Sequence, residues 1–175
     1  MTGPLPGRIL ETARLILTPV AVSDLDDLQA KWRDPNFTRF ITGRALSREE
    51  VWSRVLRDIG HWEALGQGNW SMRLKGTGAY VGSVGVLDLQ RDVTPAFDAP
   101  ELGWGIGSAF HGQGLAREGL DAALAWADAR PMPRTVCMIA PDNAQSLRLA
   151  ERVGYRPYST GAYKDQPSIL LERRP

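Results

Sequence analysis

The chain has 175 residues, 43% hydrophobic and 23% charged, with a net charge of +1 and one cysteine. This suits one soluble globular domain with one sizeable core, taken as residues 9–175. Near-zero charge leaves no electrostatic case for nucleic acid or an anionic membrane, and the lone Cys137 excludes an internal disulfide and fits a reducing, cytoplasmic setting.

No apolar run reaches the length of a membrane helix, and no charged-apolar-small signal segment opens the chain. No His/Cys/Asp cluster has metal-ligand spacing, so no metal is expected. Residues 1–8 hold two prolines and two glycines and are expected to be poorly ordered. Arg14 to Thr18 reads as a first strand, ended by Pro19, which has no N–H to donate. Ser23 with Asp26 suggests a capping box; Leu25, Leu28 and Trp32 follow at helical spacing, and Pro35 closes the helix. Ser47 and Glu50 make a cleaner box, followed by the stripe Val51, Val55, Ile59, Trp62 and a stop near Gly66.

Two strands come next, Asn69 to Lys75 and Ala79 to Asp88, joined by a Gly-Thr-Gly turn. Residues 89–100 read as an exposed loop. The glycine-rich strand from Glu101 leads into a helix from Leu115 to Ala129, stopped by Pro131 and Pro133. Thr135 to Ala140 reads as a central strand buried on both faces, with Cys137 in the core. Asp142-Asn143 caps a further helix, with Gln145 placed for a reciprocal bond and Gly154 as its stop. Strands at Tyr155 to Thr160 and Pro167 to Glu172 close the chain. The order predicts an α/β class, α+β in detail: a mixed sheet of about seven strands with about four helices on its two faces.

The chemistry concentrates at Glu101 to Ala116, ELGWGIGSAFHGQGLA. Gly103, Gly105 and Gly107 alternate along the strand, which suggests a bulge or the close approach of another chain or molecule. Gly112 and Gly114 flank a turn that opens straight into a helix, an arrangement of aligned N–H groups suited to phosphate. The turn has neither the Lys-Ser/Thr pair of a P-loop nor the third glycine of a dinucleotide fingerprint.

His111-x-x-Gly114-x-Ala116 resembles the pyrophosphate loop of the GNAT acetyltransferases, Gln/Arg-x-x-Gly-x-Gly/Ala, with His111 departing at the first position. Residues 143–155, NAQSLRLAERVGY, are similar to that family's Asn-x-x-Ser…Gly-Phe/Tyr segment. The element order from Arg14 to Glu172 resembles the GNAT fold, and the branch it suggests is that of the ribosomal-protein N-terminal acetyltransferases. The resemblance implies acetyl-CoA as donor, with its pyrophosphate on the N–H groups of Gly112, Gln113, Gly114, Leu115, Ala116 and Arg117, behind His111. It also implies a pantetheine arm paired like a strand with Trp104, Gly105 and Ile106, the glycines giving it room.

Direct attack by a deprotonated amine requires a base, an oxyanion donor and a proton for the leaving thiolate. Glu101 is the candidate base, acting through a water; the alternative is a loop carboxylate. Ser146 is the candidate proton donor, or else a solvent-facing serine, and Asn143 either holds the arm or only caps its helix. Many family members place a tyrosine four residues before the helix-ending glycine, where this chain has Ala150. His111 is read first as a loop residue, and His61 is a weaker base candidate. Trp62, Trp70, Trp104, Tyr163 and His61 are available walls for an acceptor, with two or three of them assigned to plain core. The acceptor is a small-molecule amine or a peptide N-terminus. A strongly acidic or basic groove would discriminate, but net charge does not reveal one. The competing function is a non-catalytic acyl-CoA-binding or sensing module on the same fold. Exposed strand edges offer a route to a homodimer.

Overall fold

The helix that the sequence marks most clearly forms as marked. In α3 (Arg48–Leu65) the Ser47 hydroxyl accepts from Glu50 N–H, the Glu50 carboxylate accepts from Ser47 N–H, and Gly66 ends the helix in the left-handed region at φ 68°. Its stripe of Val51, Val55 and Trp62 is buried, while Trp52 and Leu56 face solvent. The other helices are α1 (Leu25–Arg33), α2 (Pro35–Thr38), α4 (Leu115–Asp128) and α5 (Ala144–Arg152). The strands are β1 (Leu10–Glu11), β2 (Leu15–Pro19), β3 (Asn69–Leu74), β4 (Tyr80–Leu87), β5 (Val93–Thr94), β6 (Glu101–Ile106), β7 (Thr135–Ile139), β8 (Arg156–Tyr163) and β9 (Gln166–Arg173).

This computed structural model describes residues 7–175, and its strands form one mixed sheet in the order β1-β2-β3-β4-β6-β7-β9-β8-β5. Among the described residues β6–β7 is the one parallel pair. Residues of β6 alternate between the two layers. Leu102 and Ile106 enter a core shared with Leu115, Leu120 and Leu124 of α4 and Ala150 of α5. On the opposite face a Cβ at Gly105 would meet the ring of Phe37 at 2.6 Å. Phe37 belongs to a second cluster with Trp32, Val51 and Val55 from α1 and α3. α4 lies close on the sheet because Gly119 has no side chain; a Cβ there would sit 2.3 Å from Met72 Sδ.

Nine strands stand where about seven were expected, and five helices where about four were. The additions are too short to show a period: β1 and β5 have two residues each, and α2 is one turn capped by Asp34. β5 lies within the expected loop and pairs with β8, with Val93 buried. The Ser23 capping box does not form. Val22–Asp24 is a 3₁₀ turn, and the Asp24 carboxylate accepts from Ala21 N–H and Ser71 Oγ instead. The last two strands run on into a tight hairpin, with Lys164 and Asp165 both at positive φ (51° and 60°) at its two-residue turn.

Of the segment expected to be poorly ordered, residues 1–6 lie outside the described part. Gly7 and Arg8 are anchored: their carbonyls accept from the indole N–H groups of Trp126 and Trp70, each at 2.7 Å. These indoles and Trp62 meet edge-on, with centroids 4.9 to 6.0 Å apart. No helix among the described residues is long and apolar enough to cross a membrane.

Candidate active site

β6 pairs with β4 along its whole length, from Leu87↔Glu101 to Gly82↔Ile106. With β7 it shares one register pair, Glu101↔Val136, where Val136 N–H donates to the Pro100 carbonyl at 2.9 Å. Beyond that point the two strands part. The β6 backbone groups that point away from β4 therefore have no strand partner and face a cleft.

The upper end of β6 turns at Gly107 into a 3₁₀ turn, Ser108–Phe110. Ser108 Oγ donates to Asp34 Oδ2 at 2.7 Å, tying the loop to the start of α2 and holding the Asp34 carboxyl below the usual carboxylate range. His111 Nε2 lies 3.1 Å from the Ile106 carbonyl. A carbonyl only accepts, so Nε2 carries a proton and the ring braces the loop against β6. Gly112 and Gly114 take positive φ (73° and 75°), the left-handed region that favours glycine because it has no Cβ. No side chain caps α4, and its first intrahelical bond is donated by Glu118 N–H. The N–H groups of Leu115, Ala116 and Arg117 are thus left aligned at the positive end of the helix dipole.

A cavity of about 170 Å³ lies between this helix start and α5. Trp104, Gly105, Ile106, His111, Gly112, Gly114, Leu115 and Ala116 wall it on one side, and Asn143 and Ser146 on the other. Asn143 Oδ1 accepts from Ser146 N–H at 3.2 Å, which caps α5 and leaves the amide nitrogen available. Ser146 Oγ has no partner among the described residues. Gln145 does not make the expected reciprocal bond; it lines the cavity. Ala150 faces the core.

The side chains of two loop residues are engaged elsewhere. Gln113 donates its amide to the Ala109 carbonyl, and Arg117 pairs with Asp121 one turn on, at 2.8 Å on the exposed face. Both were expected to act through their backbone N–H groups, and that of Arg117 belongs to the helix start. A Cβ at Gly105 would meet the Phe37 ring, so this glycine makes room for α2 while its backbone lines the cavity.

A second cavity of about 480 Å³ adjoins the first. The two share Phe40, Ile41, Trp104, Asn143 and Ser146 as walls. Glu101 stands at the foot of the second, 7% exposed, with Oε2 accepting from Arg91 Nε at 2.6 Å. Arg91 Nη1 in turn donates to the Tyr163 hydroxyl at 3.1 Å. Glu101 Oε1 has no partner among the described residues. Glu101 is thus a buried strand residue and not a loop carboxylate. It lies three residues along β6 from Trp104, about 10 Å at strand rise.

Sequence reasoning missed Arg44, Arg54, Arg91 and Lys164, which all line this second cavity. They come from a loop, a helix, another loop and a hairpin turn, with no common local pattern. Of the expected aromatic walls, Trp104 and Tyr163 are there, whereas Trp62 and Trp70 are core. His61 Nε2 accepts from Asp88 N–H at 2.9 Å, and burial pushes the ring's pKa down, so its lone pair serves the fold. Burial likewise raises the Cys137 thiol far out of the nucleophilic range. Among the described residues no group of three His, Cys, Asp or Glu side chains converges as a metal site.

A mixed sheet opened by one splayed parallel pair, with a glycine-rich helix start at the mouth, is an architecture that this chain shares with acetyltransferases. Residues 14–156 match the acetyltransferase (GNAT) domain, and the chain belongs to that family. A protein from Bordetella pertussis assigned to the GNAT acetyltransferases is 35% identical, with a TM-score of 0.84 over 94% of this chain and 98% of its own. The same fold occurs in the ribosomal-protein-S5-alanine acetyltransferase of Vibrio fischeri, 17% identical, TM-score 0.75, covering 95% and 96% of the two chains. It occurs again in RimL, a ribosomal L7/L12 α-N-protein acetyltransferase solved with coenzyme A, 16% identical, TM-score 0.79, covering 95% and 97%.

Proposed function

We propose that the protein transfers the acetyl group of acetyl-CoA to a primary amine, by direct attack and without a covalent enzyme intermediate. The observation that carries this is the meeting of two features at one cleft: the parting of β6 and β7 after Glu101↔Val136, and the uncapped start of α4 behind Gly112 and Gly114. The first offers strand-like backbone pairing to an extended arm. The second offers aligned N–H groups to a pyrophosphate. Acetyl-CoA supplies the activated acyl group.

The remaining roles fall to this chain's own residues. Trp104 and Ile106 bound the arm's path, and Asn143 Nδ2 is available to orient it. Ser146 Oγ, on both cavities, protonates the leaving sulfur, since Ala150 offers no hydroxyl there. Glu101 takes the amine's proton through a water, given its place along β6. Arg91 and Tyr163 hold the carboxylate in position. The acceptor enters by the second cavity, as a small-molecule amine or a peptide N-terminus, and names such as those of the ribosomal-protein acetyltransferases make the latter a reasonable starting panel.

The test is acetyl-CoA turnover by thiol release over amines and short peptides, with Glu101→Gln and Ser146→Ala in parallel. Acceptor-dependent release, reduced in both variants with acetyl-CoA binding intact, is the expected result. Tight CoA binding without turnover of any acceptor would instead support a sensing module. No CoA binding would overturn the assignment.

A further inference from the structure

The second cavity holds more positive charge than the protein neutralises. Arg44, Arg54, Arg91 and Lys164 line it, against the single carboxylate of Glu101. Arg91 is matched by Glu101 at 2.6 Å and Arg44 by Glu50 at 2.5 Å. Arg54 and Lys164 make no ion pair and no hydrogen bond among the described residues. The Arg54 guanidinium carbon lies over the Trp32 ring, 4.4 Å from its centroid, a cation–π contact that uses no N–H donor. The neighbouring carboxylate, Asp58, favours the cation through its charge but makes neither an ion pair nor a hydrogen bond with it. Asp58 Oδ1 accepts from Arg57 at 2.7 Å, and Oδ2 accepts from the Asn69 amide at 3.0 Å. Burial and the charge of Arg57 weigh against the Arg54 cation, lowering its pKa. Lys164 sits at the positive-φ turn of the β8–β9 hairpin, its ammonium over the Tyr163 ring at 5.4 Å.

A partly buried guanidinium with five donors and no protein acceptor presents a planar edge that matches an oxyanion, whose charge would offset the desolvation that disfavours the cation. We propose that the acceptor is an amine bearing an anionic group, a carboxylate or a phosphate, which Arg54 and Lys164 hold while the amine reaches Trp104 and Ser146. This rests on the acetyl-transfer reading of the cleft and narrows it to one substrate class. Anchoring at the far end from the thioester would orient the amine without placing charge at the reacting carbon.

Matched acceptors test it. One arm uses tetrapeptides with a free α-amine and Glu, Gln or Lys in the second and third positions. The other uses small primary amines as carboxylate/carboxamide and phosphate/alcohol pairs. The readouts are kcat/KM with acetyl-CoA, and calorimetric binding of each amine to protein saturated with CoA, which needs no turnover. We expect the anionic member of a pair to be favoured by about 10-fold or more at low salt. We expect Arg54→Gln and Lys164→Gln to erase that preference while acetyl-CoA affinity is kept, and Arg54→Glu to shift it toward Lys-bearing peptides. The arm that carries the preference identifies a peptide or a small molecule as source. Anionic amines that bind through Arg54 without being acetylated would support the site and remove the transfer reading. Neutral and anionic members turned over equally, or a preference that survives both Gln variants, would overturn the proposal and leave acetyl transfer standing.

Discussion

The two cavities that meet at Trp104 and Ser146 are built by different means. The one toward α4 is made of backbone: Gly112 and Gly114 at positive φ, an uncapped helix start, and a strand edge without a partner. Its side chains are mostly structural. His111 braces the loop, Asn143 caps α5, and Gln113 and Arg117 turn away. The one toward the β8–β9 hairpin is made of charged and aromatic side chains on elements distant in sequence. A backbone site suits a ligand common to a whole family, because many sequences can present the same N–H groups. A side-chain site can change its specificity without disturbing the fold.

That contrast can be broken most forcefully at Gly114. Gly114→Val puts a β-branched residue at φ 75°, so acetyl-CoA affinity by calorimetry should fall more than about 100-fold with far-UV dichroism unchanged. On the other side, Glu101→Gln should lower kcat by about 10- to 100-fold, with acetyl-CoA affinity unaltered. A matching loss of acetyl-CoA binding would mean that the two cavities are not separable.

Phe37 lines the first cavity from the opposite layer and tests the seam. Gly105→Ala should destabilise the fold by about 1–3 kcal/mol in urea titration, through its clash with the ring, and Phe37→Leu should recover part of the loss. Behind that ring lies Lys31, its ammonium 4.8 Å from the Phe37 centroid and 2.9 Å from Ser83 Oγ. Burial lowers its pKa to about 7. The folded value is below that of the unfolded chain, so between about pH 7 and pH 10 the unfolded chain binds a proton that the folded one does not. Stability should therefore rise with pH across that window, and Lys31→Met should flatten the rise. The smallest effect belongs to Arg117→Ala, which should change acetyl-CoA affinity by less than about two-fold, since only an exposed ion pair is lost.

What could be read from the chain by itself was whatever is local. The Ser47–Glu50 box and the two left-handed glycines before Leu115 work within four or so residues, and so did Asn143 capping toward Ser146. Their geometry follows from φ preferences and the helix repeat, so neighbouring letters suffice. The same locality misled at Ser23, where the Asp24 carboxylate instead accepts from Ala21 N–H and from a tertiary partner, Ser71 on β3. Glu101 could be nominated from its place at the head of a glycine-rich strand, but not its bond to Arg91. Only the folded chain decided that Gly105 serves Phe37, that Arg117 faces Asp121, and that Arg54 of α3 and Lys164 of the last hairpin share a cavity with Ser146 of α5. Those outcomes depend on which faces pack and where a strand parts from its neighbour. Contacts between residues far apart in sequence set both, and no single segment encodes them.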